Sequence, residues 1–157
     1  MKIVVSPNPY RDKQFKNARQ ACSILREAGA EVALCLPFDV DKNFEIPSDL
    51  RFRDIQREIK TADMLVCFGG DGTILHASKI ATEHSIPILG VNIGTMGFIA
   101  ELEAGEIELL RKIPQGDYAV EERTMLDVSV TGGRQTLFHE TALNDAVITK
   151  GAIARVV

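Results

Sequence analysis

Over roughly the first two-thirds of the chain, solid apolar runs of strand length alternate with amphipathic stretches. Ile3–Val5, Val32–Leu36, Met64–Phe68 and Ile86–Val91 carry almost no polar interruption, the pattern of strands covered on both faces. Between the first two runs, Phe15, Ala18, Ala21, Cys22, Leu25 and Ala28 recur at helical spacing, and Gly29 stands where a helix ends. A weaker helical face runs through Ile55 and Ile59 within Leu50–Lys60. A further helix is predicted from near Thr73, with Ile74, Leu75, Ala77, Ile80 and Ala81 on one side. Glu106–Lys112, with Ile107 and Leu110, reads as a short helix ahead of Pro114. The cluster Ser6-Pro7-Asn8-Pro9 stops the first strand, and residues 38–49 read as a loop. Strands alternating with helices imply a parallel sheet with helices on both faces, a Rossmann-like α/β arrangement.

After Pro114 the period changes. Tyr118–Glu122, Met125–Val130, Gln135–Glu140 and Ala146–Lys150 read as consecutive strands, with a hairpin turn at Thr131–Arg134. Asp127 and Ser129 alternate with Leu126, Val128 and Val130, as in a half-buried antiparallel sheet. The expected fold is therefore α/β: a nucleotide-binding domain over residues 1–120, then the first strands of an all-β sandwich over 121–157. Four or five strands do not close a sandwich, so this second domain is expected to be truncated.

Composition narrows the class. With 157 residues, 45% of them hydrophobic, the chain can bury a sizeable core. A net charge of −4 and a pI near 5.4 argue against a nucleic-acid partner, which would call for a basic stripe. No apolar run approaches the length of a membrane span, and the N-terminus enters a strand directly without the apolar core of a secretory signal. Cys22, Cys35 and Cys67 are odd in number, lack C-x-x-C spacing and sit among apolar neighbours, which suits buried thiols in a reducing cytoplasm.

The strongest chemical signal is Gly69-Gly70-Asp71-Gly72-Thr73, between a strand and a helix. Glycines admit positive φ and let backbone N–H groups come close to a ligand. A helix start favours phosphate oxygens, and the carboxyl end of a parallel strand is where open α/β sheets bind ligands. Asp71 is at odds with a plain phosphate cradle. It suits the orientation of a hydroxyl nucleophile or a metal, and an Asx turn at the helix start accounts for it equally. The segment is neither a P-loop nor a G-x-G-x-x-G turn. A second glycine turn, Asn92-Ile93-Gly94-Thr95-Met96-Gly97-Phe98, also follows a strand. Phe98 there is either a base-stacking ring or a core anchor. Asn144 and Asp145 enter an apolar strand and suit either ribose hydroxyls or a turn. His76 lies one turn into the helix after Gly72. No histidine pair has zinc spacing, so no metal ligand is assigned.

Taken together, Gly69–Thr73, Asn92-x-Gly94-x-x-Gly97-Phe98, Glu122-Arg123-x-Met125-Leu126 and Leu143-Asn144-Asp145 resemble the NAD kinase family across the whole chain. That resemblance implies transfer of the γ-phosphoryl group of ATP, or of polyphosphate, to the 2′-hydroxyl of the adenosine ribose of NAD, giving NADP with a divalent cation such as Mg²⁺. Asp71 would accept the proton. Gly70, Gly72, Thr73, His76, Asn92, Gly97, Phe98, Asn144, Asp145 and Arg155 would bind the nucleotides, Phe98 against the adenine. The incomplete sheet points to a homo-oligomer, a dimer or tetramer, and composition to a cytoplasmic chain with no membrane or nucleic-acid partner. The family's glycine- and threonine-rich segment of the T-G-S-T-A type is not among these residues, so the chain alone is expected to be weak or inactive. The glycine–aspartate motif is shared with lipid and other small-molecule kinases. A kinase of that kind and a non-catalytic nucleotide-binding fragment are the competing readings.

Overall fold

In the computed structural model, residues 1–94 and 97–148 are described. They divide into two compact units meeting at Val120 and Glu121. The first is built on five parallel strands: β1 (Lys2–Pro7), β2 (Glu31–Leu34), β3 (Met64–Gly69), β4 (Ile88–Asn92) and β5 (Leu102–Glu103), in the order β2-β1-β3-β4-β5. The runs read as buried strands are buried. Ile3, Val4 and Val5, and Leu65, Val66, Cys67 and Phe68, have no exposed surface. The two-residue β5 is too short to leave a periodic signal.

Alternation within each strand feeds two cores. Ile3, Val5, Val66 and Phe68 meet Ala18, Ala21, Cys22 and Leu25 of α1 (Lys16–Glu27), together with Ile107, Leu110 and Ile113. Val4, Leu65 and Cys67 point the other way, onto Ile59 and onto Ile74, Ala77 and Ala81 of α3 (Asp71–Glu83). The helix α1 ends as its sequence predicts. Gly29 takes φ +94°, its N–H bonds Arg26 O and the Ala30 N–H bonds Leu25 O, the paired bonds of a Schellman cap.

Two helices differ from expectation. The Leu50–Lys60 stretch yields only α2 (Ile55–Glu58), capped by the Asp54 carboxylate on the Gln56 N–H, and a 3₁₀ turn over Ile59–Thr61. The last helix is a 3₁₀ helix that runs through Pro114, Ala104–Gln115, with Glu103 and Glu106 forming a capping box at its start. Its buried residues Ile107, Leu110 and Ile113 recur every third position, which aligns them in a three-residue turn.

The second unit, over its described residues, is one antiparallel hairpin of β6 (Leu126–Gly132) and β7 (Gln135–Ala142), with Gly133 at φ +63° in the turn. The strand expected at Tyr118–Glu122 is absent, since among the described residues that stretch pairs with no other strand. The strand expected at Ala146–Lys150 is not formed through residue 148, and its remainder lies outside the described residues.

Candidate active site

The sheet order reverses direction between β1 and β3. From β1 the chain moves outward to β2, whereas from β3 it moves the other way through β4 to β5. Ligands of open α/β sheets bind in the crevice that such a reversal opens at the carboxyl ends of the strands. A cavity of about 400 Å³ lies there, within the ~300–1,000 Å³ usual for ligand pockets. Asn8 and Arg11 come to it from the loop after β1, Phe38 from the loop after β2, Gly70–Thr73 from the start of α3, and Gly97 from the turn after β4.

Gly70 is the N-cap of α3 and no side chain caps that end, so the first N–H groups of the helix are without intrahelical partners. The glycines here contribute space, not left-handed backbone: none of Gly69, Gly70 and Gly72 has a positive φ. A Cβ on Gly69 would overlap the Thr73 side chain, while on Gly70 or Gly72 it would meet no protein atom within 4 Å. Thr73 is buried, and its Oγ1 accepts a 2.9 Å hydrogen bond from Asn8 Nδ2. The Asn8 N–H donates in turn to Phe68 O at 2.8 Å. The loops after β1 and β3 are thus tied together at the cavity.

Asp71 does not cap its own helix. Its carboxylate accepts the Phe98 N–H at 3.1–3.2 Å and the Ile99 N–H at 3.3 Å, which joins the start of α3 to the turn after β4. This close approach depends on Gly97, where a Cβ would stand 2.5 Å from Asp71 Oδ1. The Phe98 ring is 93% exposed, so it is not a core anchor.

The other candidate residues are placed differently. Asn92 is buried, with its amide donating to the Glu103 carboxylate at 3.0 Å and its carbonyl oxygen accepting the Gly94 N–H at 3.2 Å. It shapes the second turn from within. His76 donates from Nε2 to Pro37 O at 3.0 Å and meets Phe38 edge-on, so it holds the loop that supplies Phe38 to the cavity. Asn144 and Asp145 belong to the second unit, exposed after β7, where Asn144 Nδ2 donates to Asp145 Oδ1 at 3.3 Å. Arg155 lies outside the described residues.

With this geometry in place, comparison with known proteins is decisive. Residues 3–118 match the ATP-NAD kinase N-terminal domain. The chain belongs to the NAD kinase family. The NAD kinase of Acetivibrio thermocellus is 31% identical over 160 residues, covering 99% of this chain and 53% of that protein. That of Caldanaerobacter subterraneus subsp. tengcongensis is 34% identical over 155 residues, 98% of this chain and 53% of that protein. That of Natranaerobius thermophilus is 43% identical over 105 residues, 66% of this chain and 36% of that protein. The chain thus spans about half or less of the length of these relatives. Its fold is shared with a crystal structure of yeast NADH kinase complexed with NADH, at a TM-score of 0.64 and 18% identity over 90% of this chain and 46% of that one.

Asn8, Arg11 and Phe38 carried no signal in the sequence beyond a turn and a loop. What brings them to the cavity of this NAD kinase family member is the order of the strands, which places the end of β1 beside the end of β3. The nearest thing to a local clue was the break in the β1 pattern at Ser6–Pro9, read as a strand stop and not as a binding loop.

Proposed function

We propose that the chain supplies the nucleotide-binding portion of an NAD kinase, with residues 1–120 forming the α/β domain and 121–157 the start of the β-rich domain. The reaction is transfer of the γ-phosphoryl group of ATP, or of polyphosphate, to the 2′-hydroxyl of the adenosine ribose of NAD, giving NADP. Membership of the family supports the reaction class. The observation that carries the reading is Asp71, whose carboxylate stands at the cavity and is fixed by the Phe98 and Ile99 N–H groups.

A carboxylate is too weak a base to ionise an alcohol in advance. Phosphoryl transfer passes through a loose transition state, so orienting the hydroxyl and taking its proton late is sufficient. In the proposed step the ribose oxygen forms a bond to the γ-phosphorus as the bond to the departing ADP breaks, and Asp71 receives the hydroxyl proton. Gly70, Gly72, Thr73 and Gly97 admit the nucleotide to the backbone, and the exposed Phe98 ring offers a face to the adenine. Asn144, Asp145, His76 and Arg155 are proposed on the dinucleotide side, and Asn92 as the residue that sets the turn carrying Gly97 and Phe98.

Among the described residues no group of three or more His, Cys, Asp or Glu side chains gathers, and Asp71 is the only carboxylate lining the cavity. Such a donor set fits a Mg²⁺ ion that comes with the donor phosphates and keeps most of its waters. Carried in with those phosphates, the ion would neutralise charge on the transferring phosphoryl group, with no protein ligand assigned to it. Among the described residues no helix is long and apolar enough to cross a membrane. A cytoplasmic homo-oligomer, with neither membrane nor nucleic acid as partner, completes the proposal.

The test is NADP formation from NAD, ATP and Mg²⁺ by the parent chain and by Asp71→Asn, with NAD binding followed by calorimetry and a lipid acceptor run in parallel. Loss of a general base costs about 10²–10⁴-fold in rate. Whatever NADP formation the parent supports is expected to fall by that factor in Asp71→Asn with NAD binding retained, while silence of both proteins with NAD still bound marks the chain as needing the rest of the protein. Phosphorylation of the lipid instead of NAD, or equal and measurable NADP formation by both proteins, would overturn the reading.

A further inference from the structure

A pocket for phosphate chains that contains the Asp71 carboxylate carries a charge of the wrong sign. We infer that Arg11 supplies the compensating cation and binds the phosphate oxygens of a nucleotide in this cavity. The inference rests on the nucleotide-binding reading above.

Arg11 is, among the described residues, the only basic side chain lining the cavity. Among the described residues its guanidinium makes no ion pair and no hydrogen bond, and it does not pair with Asp71, which lines the same cavity. Its backbone, in contrast, is firmly mounted. The N–H groups of Arg11 and Asp12 both bond Asn8 O, at 3.1 and 2.9 Å. Asn8 is itself anchored to Phe68 O and to Thr73 Oγ1. On the other side Asp12 is fully buried, and its carboxylate accepts the N–H groups of Asn17 and Ala18 and the Asn17 side-chain amide, all within 3.0 Å. Arg11, held between these anchors, is itself exposed.

The far side of the guanidinium lies against the turn after β4. A Cβ on Gly94 would stand 3.1 Å from Arg11 Nη1, so the absence of a side chain there makes room for the head group. Arg11 therefore reaches from the loop after β1 to the turn after β4, in a cavity that the start of α3 also lines. A planar guanidinium with unused N–H donors matches two phosphate oxygens at once. Those oxygens belong either to the phosphoryl donor or to the pyrophosphate of the dinucleotide.

The experiment is calorimetric titration of the parent chain, Arg11→Gln, Arg11→Lys and Gly94→Val with inorganic tripolyphosphate, ATP and NAD. A charge-assisted hydrogen bond lost from such a contact weakens binding about tenfold or more. Tripolyphosphate affinity is expected to fall by that factor in Arg11→Gln, to recover in part in Arg11→Lys, and to fall in Gly94→Val, where the charge remains but its seat is crowded. Weaker ATP with unchanged NAD assigns the contact to the donor, and the reverse assigns it to the dinucleotide. Unchanged binding of all three ligands by Arg11→Gln overturns the inference while leaving the nucleotide-binding reading intact. Failure of the parent to bind any of them overturns both. Arg11 is exposed, so melting temperatures of the four proteins should agree closely, and affinity differences then report the contact itself.

Discussion

The two units of this chain carry different hydrophobic patterns and bury them to different degrees. In the parallel sheet, apolar side chains of β1 and β3 are covered on both faces, and Leu65 has no exposed surface. In the hairpin, none of the described residues is buried: Val130, Leu137 and Phe138 are exposed to 50, 67 and 52%. An apolar pattern, solid or alternating, records which residues are suited to burial. Whether they are buried depends on a second layer, and α1, α3 and the Ala104–Gln115 helix provide one only in the first unit. An isolated two-stranded hairpin is marginal in water, so stability resides in the sheet that carries the cavity.

A matched pair of truncations probes this contrast most directly. Leu65→Ala empties a site in the middle of the sheet and is expected to destabilise the chain by about 2–5 kcal/mol. Leu137→Ala in the hairpin is expected to change stability by less than about 0.5 kcal/mol. Chemical denaturation followed by circular dichroism measures both, and similar losses would erase the distinction between the units.

Next in size is Gly97→Ala. The added Cβ would stand 2.5 Å from Asp71 Oδ1, so either the carboxylate or the turn must shift. Displacing a reacting group by about 1 Å costs on the order of 10²-fold in rate. NADP formation is expected to fall accordingly, with melting temperature nearly unchanged because Gly97 lies outside both cores. A large drop in melting temperature would instead make Gly97 a structural residue.

A further contrast separates the units by pH. All three cysteines are in the first unit, unpaired and buried. Burial pushes the thiol of Cys22 from 9.0 up to about 11, and those of Cys35 and Cys67 up to about 12. Between these values and 9.0 the unfolded chain releases thiol protons that the folded chain retains. The stabilisation is therefore complete below pH 9 and is lost as pH rises toward 11–12, at no more than ~1.4 kcal/mol per pH unit for each thiol. Thermal melts from pH 8.5 to 10.5 should show the decline, and Cys67→Ala should flatten it. A thiol reagent at neutral pH should modify the folded protein only slowly.

Much of this organisation was legible in the chain itself. The buried runs marked the strands, Gly29 marked the end of α1, and Gly69–Thr73 marked the strand-to-helix turn, because each depends on neighbours a few residues away. The site was only half legible. Asp71 stood out as a carboxylate among glycines, but its bonds to Phe98 and Ile99 cross 27 and 28 positions of sequence. The family resemblance placed Asn92 and His76 among the ligand residues. In the structure Asn92 meets Glu103 and Gly94, and His76 Nε2 meets Pro37 O, contacts that no local pattern reveals.

The sequence by itself determined the class of fold, the parallel strands and the turn that begins α3, since periodicity and glycine placement act over short range. Only the tertiary structure decided that β1 lies beside β3, that Asn8 and Arg11 therefore share a cavity with Asp71, and that Phe98 stays exposed while the residue next to it in the chain, Gly97, makes room for a carboxylate. Those outcomes follow from how strands are ordered and which faces are covered. Both are settled by packing among residues far apart in sequence.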